Sequence, residues 1–134
     1  MNETTNKQTV RDYVAAFNAA DFERLRELHT EDAVIRGVLG WGNIDEVIPV
    51  WKMLHDAFAI TLHVESLVEE GTTVAALYTE RGRSVGPFRG QEPTGKEYEI
   101  VAMEWYEIEG GRIRRRWGAR DSGAQQRQMG LAPL

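Results

Sequence analysis

The chain has 134 residues, 42% hydrophobic, 9% aromatic and 28% charged, with 16 Lys and Arg against 21 Asp and Glu for a formal charge of −5. This length and composition suit one globular domain over residues 1–134, and the acidic balance argues against nucleic acid, whose phosphates need a basic footprint. The absence of Cys excludes disulfides, thiolate nucleophiles and cysteine metal sites, and no apolar run reaches the roughly 18 residues of a membrane span. The N-terminus lacks a basic-then-apolar signal pattern, so a soluble cytoplasmic protein with no membrane contact is expected.

Val10, Tyr13, Val14 and Phe17 recur at i, i+3, i+4 and i+7, the stripe of an amphipathic helix, and Thr5 with Gln8 fits a capping box at its start. Asn18 to Asp21 breaks that period, and Asp21 is placed to cap a second short helix carrying Phe22, Leu25 and Leu28. A short strand is expected over 33–39, then a turn at Gly40-Trp41-Gly42. Asn43 with Glu46 forms another capping signature, ahead of a helix with Val47, Trp51, Leu54 and Phe58 on one face. Pro49 either kinks this helix or belongs to its first turn.

From residue 61 the period becomes two. Strands are expected over 61–70 and 73–81, about 96–108, and 112 to about 121, joined by Glu70-Gly71, a Gly- and Pro-rich loop, and Gly110-Gly111. The tail from Ser122 is polar, with a few apolar contacts. Helices followed by a meander of long strands imply an α+β fold, a curved antiparallel or mixed sheet wrapped around about three helices of the N-terminal half. Such a sheet leaves a cone-shaped pocket open at one end.

On the last strand Ile113, Arg115, Trp117, Ala119 and Asp121 share a face if alternation is strict. If that face is concave, Asp121 ends in the pocket near Trp117, where poor hydration disfavours the anion and suits the carboxyl to general acid–base work. The plainer alternative is that Asp121 caps the tail segment or pairs with an Arg. Glu80, beside Tyr78 and Ala76, and Glu104, beside Tyr106 and Ala102, are either buried second carboxylates or surface partners of Arg83 and Arg114. Arg112, Arg114, Arg115, Arg116 and Arg120 read as the solvated face of a strand or as its pairing with the abundant Glu.

His29, His55 and His63 show no metal-ligand spacing and read as structural, so neither metal nor cofactor is expected. Ser84 sits in a loop without the strand–turn–helix context of a hydrolase nucleophile. Most aromatic residues must be core. Tyr13, Phe17, Trp41, Phe58, Phe88, Trp105 and Trp117 are the candidates to wall a pocket for a hydrophobic small molecule.

Gly111 to Asp121 resembles the last-strand signature of SnoaL-like polyketide (ester) cyclases, Gly-Lys-Ile followed by Trp and, four residues later, Asp. Arg127-Gln128-Met129-Gly130-Leu131-Ala132-Pro133 is similar to that family's tail, Pro93-Thr94-Gly95-Lys96 to its Pro-Thr-Gly-Arg/Lys turn, and Val68 to Val74 to its hairpin between long strands. The resemblance implies the α+β barrel shared with nuclear transport factor two, and a cofactor-free enzyme closing a polyketide ring by intramolecular aldol addition. It also implies that the residue aligned with Asp121 takes and returns the proton. Three positions depart from the family: Arg36 and Ser84 stand where members carry His, and Phe58-Ala59-Ile60 where they carry Phe-Pro-Asp.

Two further readings stay open on the same fold: a non-catalytic binder of small molecules, and an epoxide hydrolase with an Asp–Arg–Asp relay. Arg120-Asp121 fits the relay poorly, because successive strand residues face opposite ways. The broad sheet suggests a homodimer.

Overall fold

Local capping chemistry starts each helix. In the computed structural model, which describes residues 4–37 and 40–132, α1 (Thr5–Asn18) is capped by Thr4, whose hydroxyl accepts from Lys7 N at 3.2 Å, one residue ahead of the expected cap. Asp21 caps α2 (Phe22–Glu27) through Arg24 N at 3.1 Å. The Asn43/Glu46 box forms in full ahead of α3 (Ile44–Phe58), with bonds of 2.9 and 3.3 Å. Pro49 lies in the second turn of α3 on its exposed side, where the missing N–H frees one carbonyl toward water and the helix continues.

The remaining elements are β1 (His29–Gly37), β2 (Gly40–Asn43), β3 (Thr61–Glu70), β4 (Thr73–Arg83), β5 (Glu97–Glu109), β6 (Arg112–Arg120) and α4 (Ser122–Met129). Strand β1 begins four residues before the expected Ala33. It starts on His29, which is buried with its Nδ1–H donating to Leu25 O at 2.6 Å. Burial holds this imidazole down at about 4, so it is the neutral tautomer that joins α2 to the sheet. The expected end of that strand, Val38 and Leu39, lies outside the described residues. The turn expected at Gly40-Trp41-Gly42 is instead strand β2, antiparallel to β1 with Arg36 opposite Trp41.

Six strands form one curved, unclosed sheet in the order β2-β1-β6-β5-β4-β3, antiparallel except for the β1–β6 pair. Alternation along β4 and β5 sends Val74, Ala76, Tyr78 and Glu80, and Tyr98, Ile100, Ala102, Glu104, Tyr106 and Ile108, to the inner face. There they meet Val10, Tyr13, Val14 and Phe17 of α1 and Trp51, Leu54 and Phe58 of α3. The outer face is apolar too: Val101, Met103 and Trp105 of β5 are 57%, 56% and 51% exposed, beside Leu77 and Val68.

One irregularity decides what β6 presents. Glu107 of β5 pairs with Arg115, yet the next residue, Ile108, pairs with Ile113, so Arg114 is an extra residue in β6. This β-bulge moves the alternation on by one. Ile113 is buried, and past the bulge the inward positions belong to Arg116, Gly118 and Arg120 instead of Arg115 and Trp117, while Ala119 is exposed and borders the cavity between its two inward neighbours. The expectation that Asp121 shares the inner face therefore fails, because strict alternation did not allow for the insertion.

The tail is helical where only a polar segment was expected. Asp121 is the N-cap of α4, exposed, with Oδ1 accepting from Ala124 N at 3.0 Å. Gly130 ends the helix at φ 73°, a left-handed conformation that glycine adopts without steric cost, and Leu131 N closes back on Gln126 O at 2.9 Å. Among the described residues no helix is long and apolar enough to cross a membrane.

Candidate functional site

Between α3 and the inner face of the sheet lies a cavity of about 250 Å³. Val47, Val50, Trp51 and Leu54 of α3 form an apolar wall, joined by Ile35 of β1. The space exists because Gly37, Ala102 and Gly118 bring almost no side-chain volume to the facing strands. Charge enters at four positions: Glu80 on β4, Glu104 on β5, and Arg116 and Arg120 on β6. A fifth charged residue, Glu46 on α3, is exposed and spends its carboxyl on the capping box.

These four side chains form two ion pairs of different character. Arg116 binds Glu104 through both arms of its fork, Nε to Oε2 and Nη2 to Oε1, each at 2.7 Å, and both side chains are less than a tenth exposed. The guanidinium also lies over Trp51 at 5.4 Å and Tyr13 at 5.9 Å. Gly118 makes room for it: a Cβ there would sit 2.9 Å from Arg116 Nη2. Tyr106 donates to Glu104 Oε2 and shares a 2.7 Å hydroxyl contact with Tyr78.

Burial pushes the Glu104 carboxyl up, but the Arg116 charge and hydrogen bonds overcome it and hold the group below its ordinary value. For Arg116, burial works against the cation and Glu104 restores it, leaving its value raised. This pair is fixed in its charged form.

The second pair is looser. Arg120 Nη2 donates to Glu80 Oε2, and Tyr98 donates to the same oxygen at 2.5 Å. Burial raises the Glu80 carboxyl above its ordinary value, and Arg120 and Tyr98 offset only part of that rise. Buried Arg120 Nε has no acceptor. The cavity thus combines one carboxyl held below its ordinary value with one held above it.

The residues expected to wall the pocket stand elsewhere in the fold. Asp121 is absent from the lining and caps α4. Tyr13 and Phe17 are buried beneath the cavity in an aromatic cluster with Trp51, and Phe58 and Phe88 pack on each other at 4.7 Å beside Tyr98. Trp105 and Trp117 stand opposite each other on β5 and β6, and Trp105 is on the outer face. Trp41 occupies β2, with its side chain outside the described residues.

The expected surface partners of Glu80 and Glu104 are engaged elsewhere, Arg83 with Glu97 and Arg114 with Glu109. Of the five arginines, Arg112, Arg114 and Arg115 are exposed as a solvated face requires, while Arg116 and Arg120 pair with Glu as the alternative had it, but inside the cavity. His55 is structural: its ring nitrogens lie 2.8 and 2.7 Å from Trp51 O and Phe17 O. The signal for the site was in β5, where strict alternation put Glu104 between inward Ala102 and Tyr106 and so required an inward cation.

Helices cupped by one curved, unclosed sheet give the nuclear transport factor two-like α+β fold. Within it the chain belongs to the SnoaL-like polyketide cyclase family, whose sequence profile matches residues 7–129. Among solved structures it is similar to IdmH of Streptomyces antibioticus, provisionally a polyketide cyclase, at 28% identity and a TM-score of 0.84 over 94% of this chain and 99% of that one. It is also similar in fold to a SnoaL-like protein of Jannaschia sp. CCS1 (20% identity, TM-score 0.86, 99% of both chains). A provisional hydroxylase, AclR of Streptomyces galilaeus, shares the fold at 22% identity with a TM-score of 0.85, over 96% of this chain and 87% of that one. No functionally curated protein matches the sequence.

Removing one partner of the tight pair strands a charge out of water. Glu104→Gln is expected to cost about 3–5 kcal/mol in urea unfolding, and Glu104→Leu with Arg116→Met together to recover most of it. A loss below about 1 kcal/mol for the single variant would contradict a desolvated pair.

Proposed function

We propose that this protein is a cofactor-free acid–base enzyme of the cyclase type, acting on a compact, largely apolar carbonyl compound, with Glu80 as the proton-transfer group. The observation that carries this reading is the contrast between the two ion pairs facing one cavity. Two carboxyl groups driven apart in proton affinity divide the work: one carries the proton and the other stays charged. Glu80 would accept the proton from the carbon beside a carbonyl, while Arg120 meets the negative charge growing on that carbonyl oxygen. The enolate carbon then bonds to a second carbonyl of the same molecule, and Glu80 returns its proton to the new alkoxide. Atoms and charge balance, and the ring closes as an isomerisation. Arg116, held by Glu104, Trp51 and Tyr13, lines the cavity with its charge matched by Glu104.

The place of Asp121 favours a second reading. The carboxylate aligned with the family's acid–base group is a helix cap, which suits a protein that binds such molecules without transforming them. Deuterium exchange separates the two. In D₂O the protein should exchange the α-hydrogens of a bound aryl 1,3-diketone, followed by NMR. Glu80→Gln should slow this by about 10²–10⁴-fold, the range for a positioned acid–base group, and Asp121→Asn should leave it unchanged. Exchange that survives Glu80→Gln and falls with Asp121→Asn would reject the assignment, and no exchange by the wild type would favour the binder.

The outer face supports a further proposal, that a second copy covers it. Ala75, Trp105 and Trp117 stand side by side across β4, β5 and β6, with Val68 opposite Ala75 on β3. An apolar stripe crossing a sheet face can be covered by the same stripe of another chain turned about a two-fold axis. Sedimentation should show a dimer for the wild type and a folded monomer for Trp105→Glu; a monomeric wild type at micromolar concentration would reject the pairing.

A further inference from the structure

We propose that the cavity holds its guest as an oxyanion, an enolate or phenolate that replaces the Glu80 carboxylate as the partner of Arg120 while Glu80 takes the guest's proton. This rests on the reading of Glu80 as the proton-transfer group and adds the charge state and chemical class of what binds. The geometry of the looser pair carries it. Arg120 lines the cavity with its side chain 15% exposed; one nitrogen holds Glu80, and its buried Nε–H has no acceptor. Both donors to Glu80, from Arg120 and Tyr98, converge on Oε2. A proton can therefore settle on Oε1 without breaking the Tyr98 bond.

The surrounding charges favour the exchange. Arg116 is already matched by Glu104 through both arms of its fork, so a protonated Glu80 leaves the cavity with one uncompensated cation, Arg120. Among the described residues the titratable and charged groups around Glu80 enter this balance. They are Tyr98 and Glu104 from β5, Arg120 from β6, with Arg116 lining the same cavity, Tyr13 from α1, and Tyr78 two residues along its own strand. Glu46 of α3 lines the same cavity, and Gln125 of α4 stands behind Tyr98. The Glu104 charge repels an anion on Glu80 and so pushes the proton toward it.

In the exchange the guest's O–H bond breaks, an Oε1–H bond forms on Glu80, and the guest's oxygen takes the place of Glu80 on Arg120. No other reactant is needed. A neutral carbonyl would satisfy the spare N–H but leave the Glu80 anion buried. The apolar wall of Val47, Val50, Trp51 and Leu54 fits a flat hydrocarbon body behind that oxygen, and about 250 Å³, just below the usual range of ligand cavities, suits a small guest.

The test uses 4-nitro-1-naphthol, whose anion is coloured, and its methyl ether, which cannot ionise. Below the naphthol's own ionisation range the bound probe should show the colour of its anion. Where the free probe is already ionised, calorimetry in two buffers of different ionisation heat should show uptake of about one proton per probe bound. The ether should bind about tenfold more weakly or worse, the loss expected for one charge-assisted hydrogen bond.

Glu80→Gln should bind the naphtholate at least as tightly with no proton uptake, and Arg120→Gln should lose the preference for naphthol over ether. A colourless bound probe, no proton uptake by the wild type, equal affinity for the ether, or no binding of either compound would each overturn the inference. The exchange experiment on the 1,3-diketone judges the catalytic reading on its own, since a carbon acid can be deprotonated by Glu80 even where the naphthol binds neutral.

Discussion

A guanidinium and a carboxylate taken out of water together organise the inner face of this protein. The Arg116–Glu104 pair bears a desolvation cost of several kcal/mol per ion, which only close geometry and further hydrogen bonds can offset. Both are present: two parallel bonds of 2.7 Å, a tyrosine hydroxyl on the carboxylate, and two aromatic faces against the cation. Because a one-residue slip in a strand sends every side chain to the other face, the pair also fixes register. Glu104 must stand opposite Gly118, and the extra residue at Arg114 is what brings Arg116 inward to meet it.

The second pair differs in how many donors hold its carboxylate. Glu104 accepts three hydrogen bonds spread over two oxygens, while Glu80 accepts two on a single oxygen. That difference alone would separate their proton affinities in the same cavity, since hydrogen bonds to the charged form favour it. The small residues Gly37, Ala102 and Gly118 complete the design: they leave a space beside the looser pair that side chains of ordinary size would fill.

Much of the architecture was readable in the sequence because it rests on periods and caps. The 3.6-residue stripes of α1 and α3, the Asp21 and Asn43/Glu46 caps and the alternation of β4 and β5 each act locally. The site was less readable because it depends on an insertion. A bulge is a pairing relation between strands, and Arg112-Ile113-Arg114-Arg115-Arg116 gives no local sign of which residue is extra. Past that point every face assignment on β6 inverts, which removed Asp121 from the cavity and hid Arg116 and Arg120. Helix α4 was missed for another reason: its residues carry almost no apolar period, although Asp121 at one end and Gly130 at the other are an ordinary cap and stop. The aromatic residues misled because large rings serve the core first, and the space left for a guest is bounded by small and aliphatic residues.

The central claim is that the two buried glutamates differ in charge affinity by design. The most direct measurement is a carboxyl ¹³C NMR titration of protein labelled at glutamate, with the two signals assigned by Glu80→Gln and Glu104→Gln. The account predicts that Glu80 titrates above the ordinary glutamate range and Glu104 below it. The reverse order, or two ordinary glutamates, would contradict it.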